Sequence, residues 1–127
     1  RIMENGLALS LTQVGIRTLN KHQKEQAGRF NVKQFGPDDW QMSDIKYLSS
    51  PLYISIDLDG LDPAFAPGVS HHEPGGLQTR EVLSIIQQLD ANIIGADIVE
   101  YNPERDIHFM TARVAYKIAN ELMAKMI

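Results

Sequence analysis

Apolar positions are concentrated in the second half of the chain, and there they follow clear periods. Leu52-Tyr53-Ile54-Ser55-Ile56-Asp57-Leu58 is apolar or β-branched at almost every position and follows Pro51. Near-continuous hydrophobicity of this kind predicts a parallel strand covered on both faces. Ile93 to Val99 predicts a second. Between them, Val82, Ile85, Ile86 and Leu89 recur at the three-and-four spacing of one helical face. Thr79 is the expected cap of that helix, with Glu81 favourable in its first turn. After the Asn102-Pro103 turn, a helix is expected from Phe109 to Met126, with Val114, Ile118, Leu122 and Met126 on one stripe.

The first half is more polar and less decided. Met3 to Leu11 is apolar in patches and predicts the remainder of a helix; Gln13 to Arg17 predicts a short strand. Asn20 to Gly28 carries Lys21, Lys24 and Glu25 and predicts a solvated helix, with Asn20 as cap and Gly28 as stop. Val32 to Phe35 is a further strand candidate, and Gly36-Pro37-Asp38-Asp39 a turn or helix opening. The strong elements run strand, loop, helix, strand, loop, helix. A helix of that length is long enough to cross over between parallel neighbours. The expected fold class is therefore α/β, built as part of a larger layered sheet.

Composition narrows the chemistry. The 127 residues suit one small domain. A formal charge of −4 and the lack of any basic run argue against a nucleic-acid partner. Cysteine is absent, which excludes disulfides, zinc-thiolate sites and thiol nucleophiles together. No apolar run reaches the roughly 20 residues that cross a bilayer, so no membrane partner is expected. The chain opens on Arg1 rather than methionine, which leads us to expect a portion of something longer. Glycine-rich phosphate cradles and the G-x-S-x-G elbow are missing.

The chemistry-bearing residues gather where the first strong strand gives way to a Gly/Pro-rich loop. Alternation would put Asp57 and Asp59 on one face, their Cα atoms roughly 6.5 Å apart. Carboxyl edges of open α/β sheets are where ligands bind. Two like charges so close call for a cation or a shared proton, and divalent ions take carboxylate oxygen. The same pair could instead cap the loop by accepting backbone N–H groups. Glu100 follows the second strand and could meet a cationic group or form a surface ion pair. His71 and His72, in the loop, could ligate, shuttle a proton or stand in solvent. A glycosidase-like pair of Asp57 or Asp59 with Glu100 is also physically possible. Asp97 lies inside an apolar strand and needs a partner if buried, a structural role. His22 and His108 are expected at the surface.

Ser55 to Gly68, read Ser-Ile-Asp-Leu-Asp-Gly-Leu-Asp-Pro-Ala-Phe-Ala-Pro-Gly, with Glu73-Pro74-Gly75-Gly76-Leu77, resembles the signature of the arginase and agmatinase (ureohydrolase) family. Gly95 to Pro103 resembles that family's next strand, and Val14-Gly15-Ile16-Arg17 also fits. The loop from Gly68 to Gly76 is most similar to that of plant arginases.

The resemblance implies that residues 1–127 form the C-terminal portion of a single ureohydrolase catalytic domain, a three-layer αβα fold with a mainly parallel sheet. It implies two Mn²⁺ ions, with Asp57 and Asp59 as metal ligands and Asp59, His71 and Glu100 as the catalytic set. Glu100 would hold a substrate guanidinium. His71, where animal arginases have Thr, would hydrogen-bond beside it. Asp62, Asp97, Gly75 and Gly76 would give structural support. A separate histidine and an Asp-x-His-x-Asp motif would precede Arg1, so the chain by itself is expected to be inactive. The implied reaction is that of an amidinohydrolase, L-arginine to L-ornithine and urea. Agmatine to putrescine and urea is the alternative, and a non-catalytic binding or oligomerisation module is another. The partners implied are a small guanidino substrate and further copies in a homotrimer or homohexamer, in a soluble intracellular setting, mitochondrial or cytoplasmic.

Overall fold

The computed structural model describes residues 1–127, which divide into two units, Arg1–Trp40 and Gln41–Ile127. In the first unit, β1 (Thr12–Val14) pairs in parallel with β2 (Lys33–Phe35), and α1 (Lys21–Arg29) connects them. The α1 helix buries no residue. Its start is held instead by a capping box, in which Asn20 and Gln23 each accept the other's backbone N–H at 2.8 Å. Its end lies beyond Gly28: the left-handed residue is Asn31, at φ 52°. The expected strand at Gln13–Arg17 starts one residue earlier and stops at Val14, because Gly15 turns the backbone at φ 83°. The helix expected over Met3–Leu11 does not form. Gly6 adopts φ 64°, and the segment closes turns such as Gly6 N–H to Met3 carbonyl.

The second unit is α/β as expected. A short helix α2 (Met42–Ile45) precedes β3 (Leu52–Asp57). A 3₁₀ turn (Leu58–Gly60) and a long loop lead to α3 (Thr79–Gln88), then to β4 (Ile93–Val99). A second 3₁₀ turn (Pro103–Arg105) precedes α4 (Met110–Met126). Strands β3 and β4 pair in parallel, from Leu52 opposite Ile93 to Asp57 opposite Val99.

Helix α3 carries its weight through packing: Val82, Leu83 and Ile86 are buried, each side chain contributing about 1.5–3 kcal/mol. Its cap is Gln78 rather than Thr79, in a capping box with Glu81. Helix α4 packs against β4 and α3, with Ile118 and Leu122 buried on the expected stripe and Met126 left exposed. Leu58, Leu61, Ala66, Val69 and Leu77 complete the core around the loop. The expectation of two covered faces for β3 is corrected. Leu52, Ile54 and Ile56 are partly buried, while Tyr53, Ser55 and Asp57 are exposed. The exposed face is chemically mixed: the Tyr53 and Ser55 hydroxyls both donate to Asp97. Gly95 lacks a side chain where the Tyr53 ring lies, since a Cβ there would come within 2.8 Å of it.

Gly68 is packed more severely. A Cβ at that position would stand 2.8 Å from Asp106 Cβ and 2.9 Å from Thr111 Oγ1, both held by hydrogen bonds. Gly68→Ala should therefore lower stability by about 1–3 kcal/mol, read from chemical unfolding. Gly28→Ala, in a helix with open space around the new methyl, should raise it by roughly 0.5–1 kcal/mol.

Candidate active site

Strand β3 delivers Asp57 to the carboxyl edge of the parallel pair. There the chain leaves extended geometry, and Asp57 Oδ1 accepts the Asp59 N–H at 2.9 Å to open the 3₁₀ turn. Asp59 thus sits on a turn rather than on the strand face. One carboxylate of the expected pair is engaged in the local capping that its spacing also allowed. The Asp59 side chain is about one-fifth exposed, and its Oδ2 lies 3.1 Å from His71 Nδ1. That contact is a hydrogen bond with neutral imidazole and an ion pair with imidazolium.

Glu100 arrives from the end of β4 with a left-handed backbone, φ 65°. Ligand-capable atoms of Asp59, His71 and Glu100 all lie within 4.8 Å of one another. Residues distant in sequence are therefore brought together at one strand edge. Asp57 is not a member of this three-residue group. His72 is turned to the Pro67 carbonyl at 2.7 Å.

The loop that carries His71 is closed by a carboxylate. Asp62 Oδ1 accepts the Ala64 N–H, and Oδ2 accepts those of Gly75 at 2.7 Å and Gly76 at 3.2 Å. Gly75 takes φ 78°, a conformation costly for residues with a Cβ. A parallel bridge between Leu61 and Leu77 closes the loop's base. Asp97 accepts from Tyr53 and Ser55, and that hydrogen bond, with the nearby negative charge, raises the Tyr53 pKa.

Sequence reasoning gave no role to Ser70, Arg105, Asp106 and Thr111, and took Asn102 as part of a turn. The Asn102 side chain donates to Ser70 Oγ, the Asn102 N–H to the Gly68 carbonyl, and Arg105 to the Ser70 carbonyl. Asp106 accepts the Thr111 and Ala112 N–H groups, the first-turn donors of α4, and the Tyr101 hydroxyl. The cap position itself is Phe109, which has no side-chain acceptor and a left-handed backbone at φ 61°. An acidic residue a few places before a helix without a polar cap was the available signal.

The arginase family model matches residues 1–125. The chain belongs to the arginase family. It is 52% identical over 133 residues to "Arginase 1, mitochondrial" of Arabidopsis thaliana, an alignment covering 98% of this chain and 39% of that protein. The solved arginase from Medicago truncatula superposes with a TM-score of 0.87 at 44% identity, covering 98% of this chain and 42% of that one. A triple mutant of the T. brucei arginase-like protein, bound with Mn²⁺, superposes with a TM-score of 0.89 at 29% identity, covering 98% and 46%. This arginase-family chain thus spans about two fifths of the length of the relatives it matches.

Asp106 gives the site a measurable acid limit. Partial burial would raise its pKa, but the Thr111 and Ala112 N–H groups and the Thr111 and Tyr101 hydroxyls outweigh that and hold it at about 2, below the ordinary 3.8. The folded state therefore favours the carboxylate. Its contribution to stability is present above about pH 4 and lost as pH falls towards 2. Asp106→Asn should be less stable than the parent at neutral pH, with the difference shrinking through that window in acid-unfolding curves.

Proposed function

We propose that the protein is a manganese-dependent amidinohydrolase that converts L-arginine to L-ornithine and urea. The observation that carries this reading is the convergence of Asp59, His71 and Glu100 at the carboxyl edge of β3 and β4. Carboxylate oxygens suit a hard divalent ion such as Mn²⁺, and the Mn²⁺ named with the T. brucei relative supports that choice. Asp57 and Asp59 would hold the ions, two in the complete site. A bound divalent pair supplies hydroxide at neutral pH by lowering the pKa of water.

The chain's own groups supply the rest. Glu100 offers two oxygens to the planar guanidinium cation, a bidentate match that fixes the carbon to be attacked. Oxygen from water joins that carbon, the bond from carbon to the side-chain nitrogen breaks, and the nitrogen leaves with a proton as the amine of ornithine. With His71 Nδ1 donating to the Asp59 carboxylate, Nε2 is the nitrogen left to meet substrate, and in neutral imidazole it offers a lone pair. Asp62, Gly75 and Gly76 hold the loop that presents His71, and Asp97 ties β4 to β3 through Tyr53 and Ser55.

Arginine is favoured over agmatine because the arginases of A. thaliana and M. truncatula both match over 98% of this chain. The A. thaliana name favours the mitochondrion over the cytoplasm as the compartment. No helix is long and apolar enough to cross a membrane. A homotrimer or homohexamer is the assembly we propose, to be read by light scattering.

Two experiments on the whole protein test the reading. Asp57→Asn and Asp59→Asn should each lower Mn²⁺ content, measured by elemental analysis, and nearly abolish turnover; full occupancy and unchanged turnover in both would contradict the ligand assignment. Glu100→Gln should keep the metal and lose about a hundredfold in kcat/KM, as expected for a charge-assisted contact worth about 3 kcal/mol. Arginine and agmatine should be assayed side by side. A kcat/KM about tenfold or more in favour of agmatine, roughly 1.4 kcal/mol, would overturn the arginine assignment. Metal binding with turnover of neither would identify a non-catalytic homologue.

A further inference from the structure

Glu100 is held in a left-handed backbone, φ 65°, that non-glycine residues rarely adopt. Such a conformation persists only where surrounding contacts impose it. His71 sits on a different segment and is largely exposed, at 83% of its side chain. Something other than packing on His71 itself must set the distance between the two.

Beyond the Asp59 bond to His71 and the Asp62 closure of its loop, one set of contacts links the two segments through the start of α4. Directly after Glu100, the Tyr101 hydroxyl donates to Asp106 Oδ2 at 3.1 Å, and the Asn102 N–H donates to the Gly68 carbonyl at 2.8 Å. Gly68, three residues before His71, donates its own N–H to Thr111 Oγ1 at 2.7 Å and leaves no room for a Cβ against Asp106. Thr111 in turn donates its N–H to Asp106 Oδ1 at 2.9 Å, and Ala112 to Oδ2 at 3.0 Å. Both segments of the site are thereby tied to the first turn of α4. That helix is anchored in the core by Ile118 and Leu122, which are almost fully buried.

We infer that Asp106 is a positioning residue for the site, fixing the spacing of Glu100 and His71 by binding the segments that carry them to the N-terminus of α4. The inference rests on the proposed guanidino hydrolysis for its catalytic consequence, and on the hydrogen bonds alone for its mechanical one. A low pKa at Asp106 is consistent with it, since the carboxylate stays an acceptor across the physiological range. Asp106 touches neither substrate nor reacting atoms. Its effect passes through Tyr101, Gly68 and Thr111.

The test uses Asp106→Asn and the milder Tyr101→Phe in the whole protein. Tyr116→Phe serves as control, on an exposed part of α4. If Glu100 binds the guanidinium, loosening it weakens substrate binding. KM for arginine should then rise about tenfold in both variants, the equivalent of one lost hydrogen bond, with a much smaller change in kcat. Simple loss of folded protein behaves oppositely, lowering apparent kcat at unchanged KM. Amide hydrogen exchange, read by mass spectrometry, should accelerate over residues 67–72 and 99–103 in both variants while α3 stays unchanged. Unchanged KM, or a fall in kcat alone, would overturn the positioning role. So would unchanged exchange over residues 67–72, a readout that stands even if the parent hydrolyses neither arginine nor agmatine. Hydrolysis of neither substrate by the parent would sink the proposed function and leave the positioning claim to the exchange data.

Discussion

The Asp62 carboxylate takes N–H donors from Ala64 at one end of its loop and from Gly75 and Gly76 at the other. Between these points the chain makes no regular structure, and its backbone polar groups would otherwise be left to water or to burial without partners. A charged acceptor on several backbone donors is among the stronger neutral-pH interactions available to a loop. It defines where the loop begins and ends, and His71 is displayed from within that closed path. Asp106 repeats the device, with the donors of a helix terminus in place of those of a loop end. Both aspartates hold backbone close to Asp59, His71 and Glu100 without belonging to that group.

The parallel pairing of β3 and β4 supplies the second constraint. Parallel neighbours bring both carboxyl ends to one edge, so Asp57 and Glu100 arrive together although a helix and a long loop separate them in sequence. Just beyond that edge both strands leave extended geometry, β3 through a 3₁₀ turn and β4 through the left-handed Glu100. These departures re-aim side chains that strand alternation would have sent elsewhere. They also concentrate local strain next to the acidic cluster, where hydrogen bonds from Asn102 and Tyr101 restrain it.

Much of this was legible in the residues. The strands at Leu52–Asp57 and Ile93–Val99 and the helix between them followed from hydrophobic period, because each buries a defined set of positions. Asp59, His71 and Glu100 were legible as candidates, being acidic or imidazole groups at strand ends and in a Gly/Pro loop. Local patterns failed where weak signals competed. At Met3–Leu11, patchy hydrophobicity suggested a helix, but the left-handed Gly6 and the absence of a continuous apolar face left only turns. At Gln78 and Thr79 two polar residues could each cap, and the bond from the Gln78 N–H to Glu81 Oε2 at 2.7 Å decided. For β3, a run of apolar residues implied two covered faces, yet Tyr53, Ser55 and Asp57 lie exposed.

The sequence by itself determined the α/β class, the β3–α3–β4–α4 order of the second unit and the family, because burial periodicity and a long specific motif are written in neighbouring residues. Which side chains share a site was decided only by tertiary structure. Asp57 and Asp59 are adjacent in pattern, but the turn at Leu58–Gly60 separates their surroundings and sets Asp59 against His71 and Glu100. Asp106 carried only a weak local signal, an acidic residue shortly before a helix. Its importance comes from the approach of Gly68 and Tyr101 to the start of α4, and hydrogen-bond geometry between segments far apart in the chain has no local spacing that could announce it.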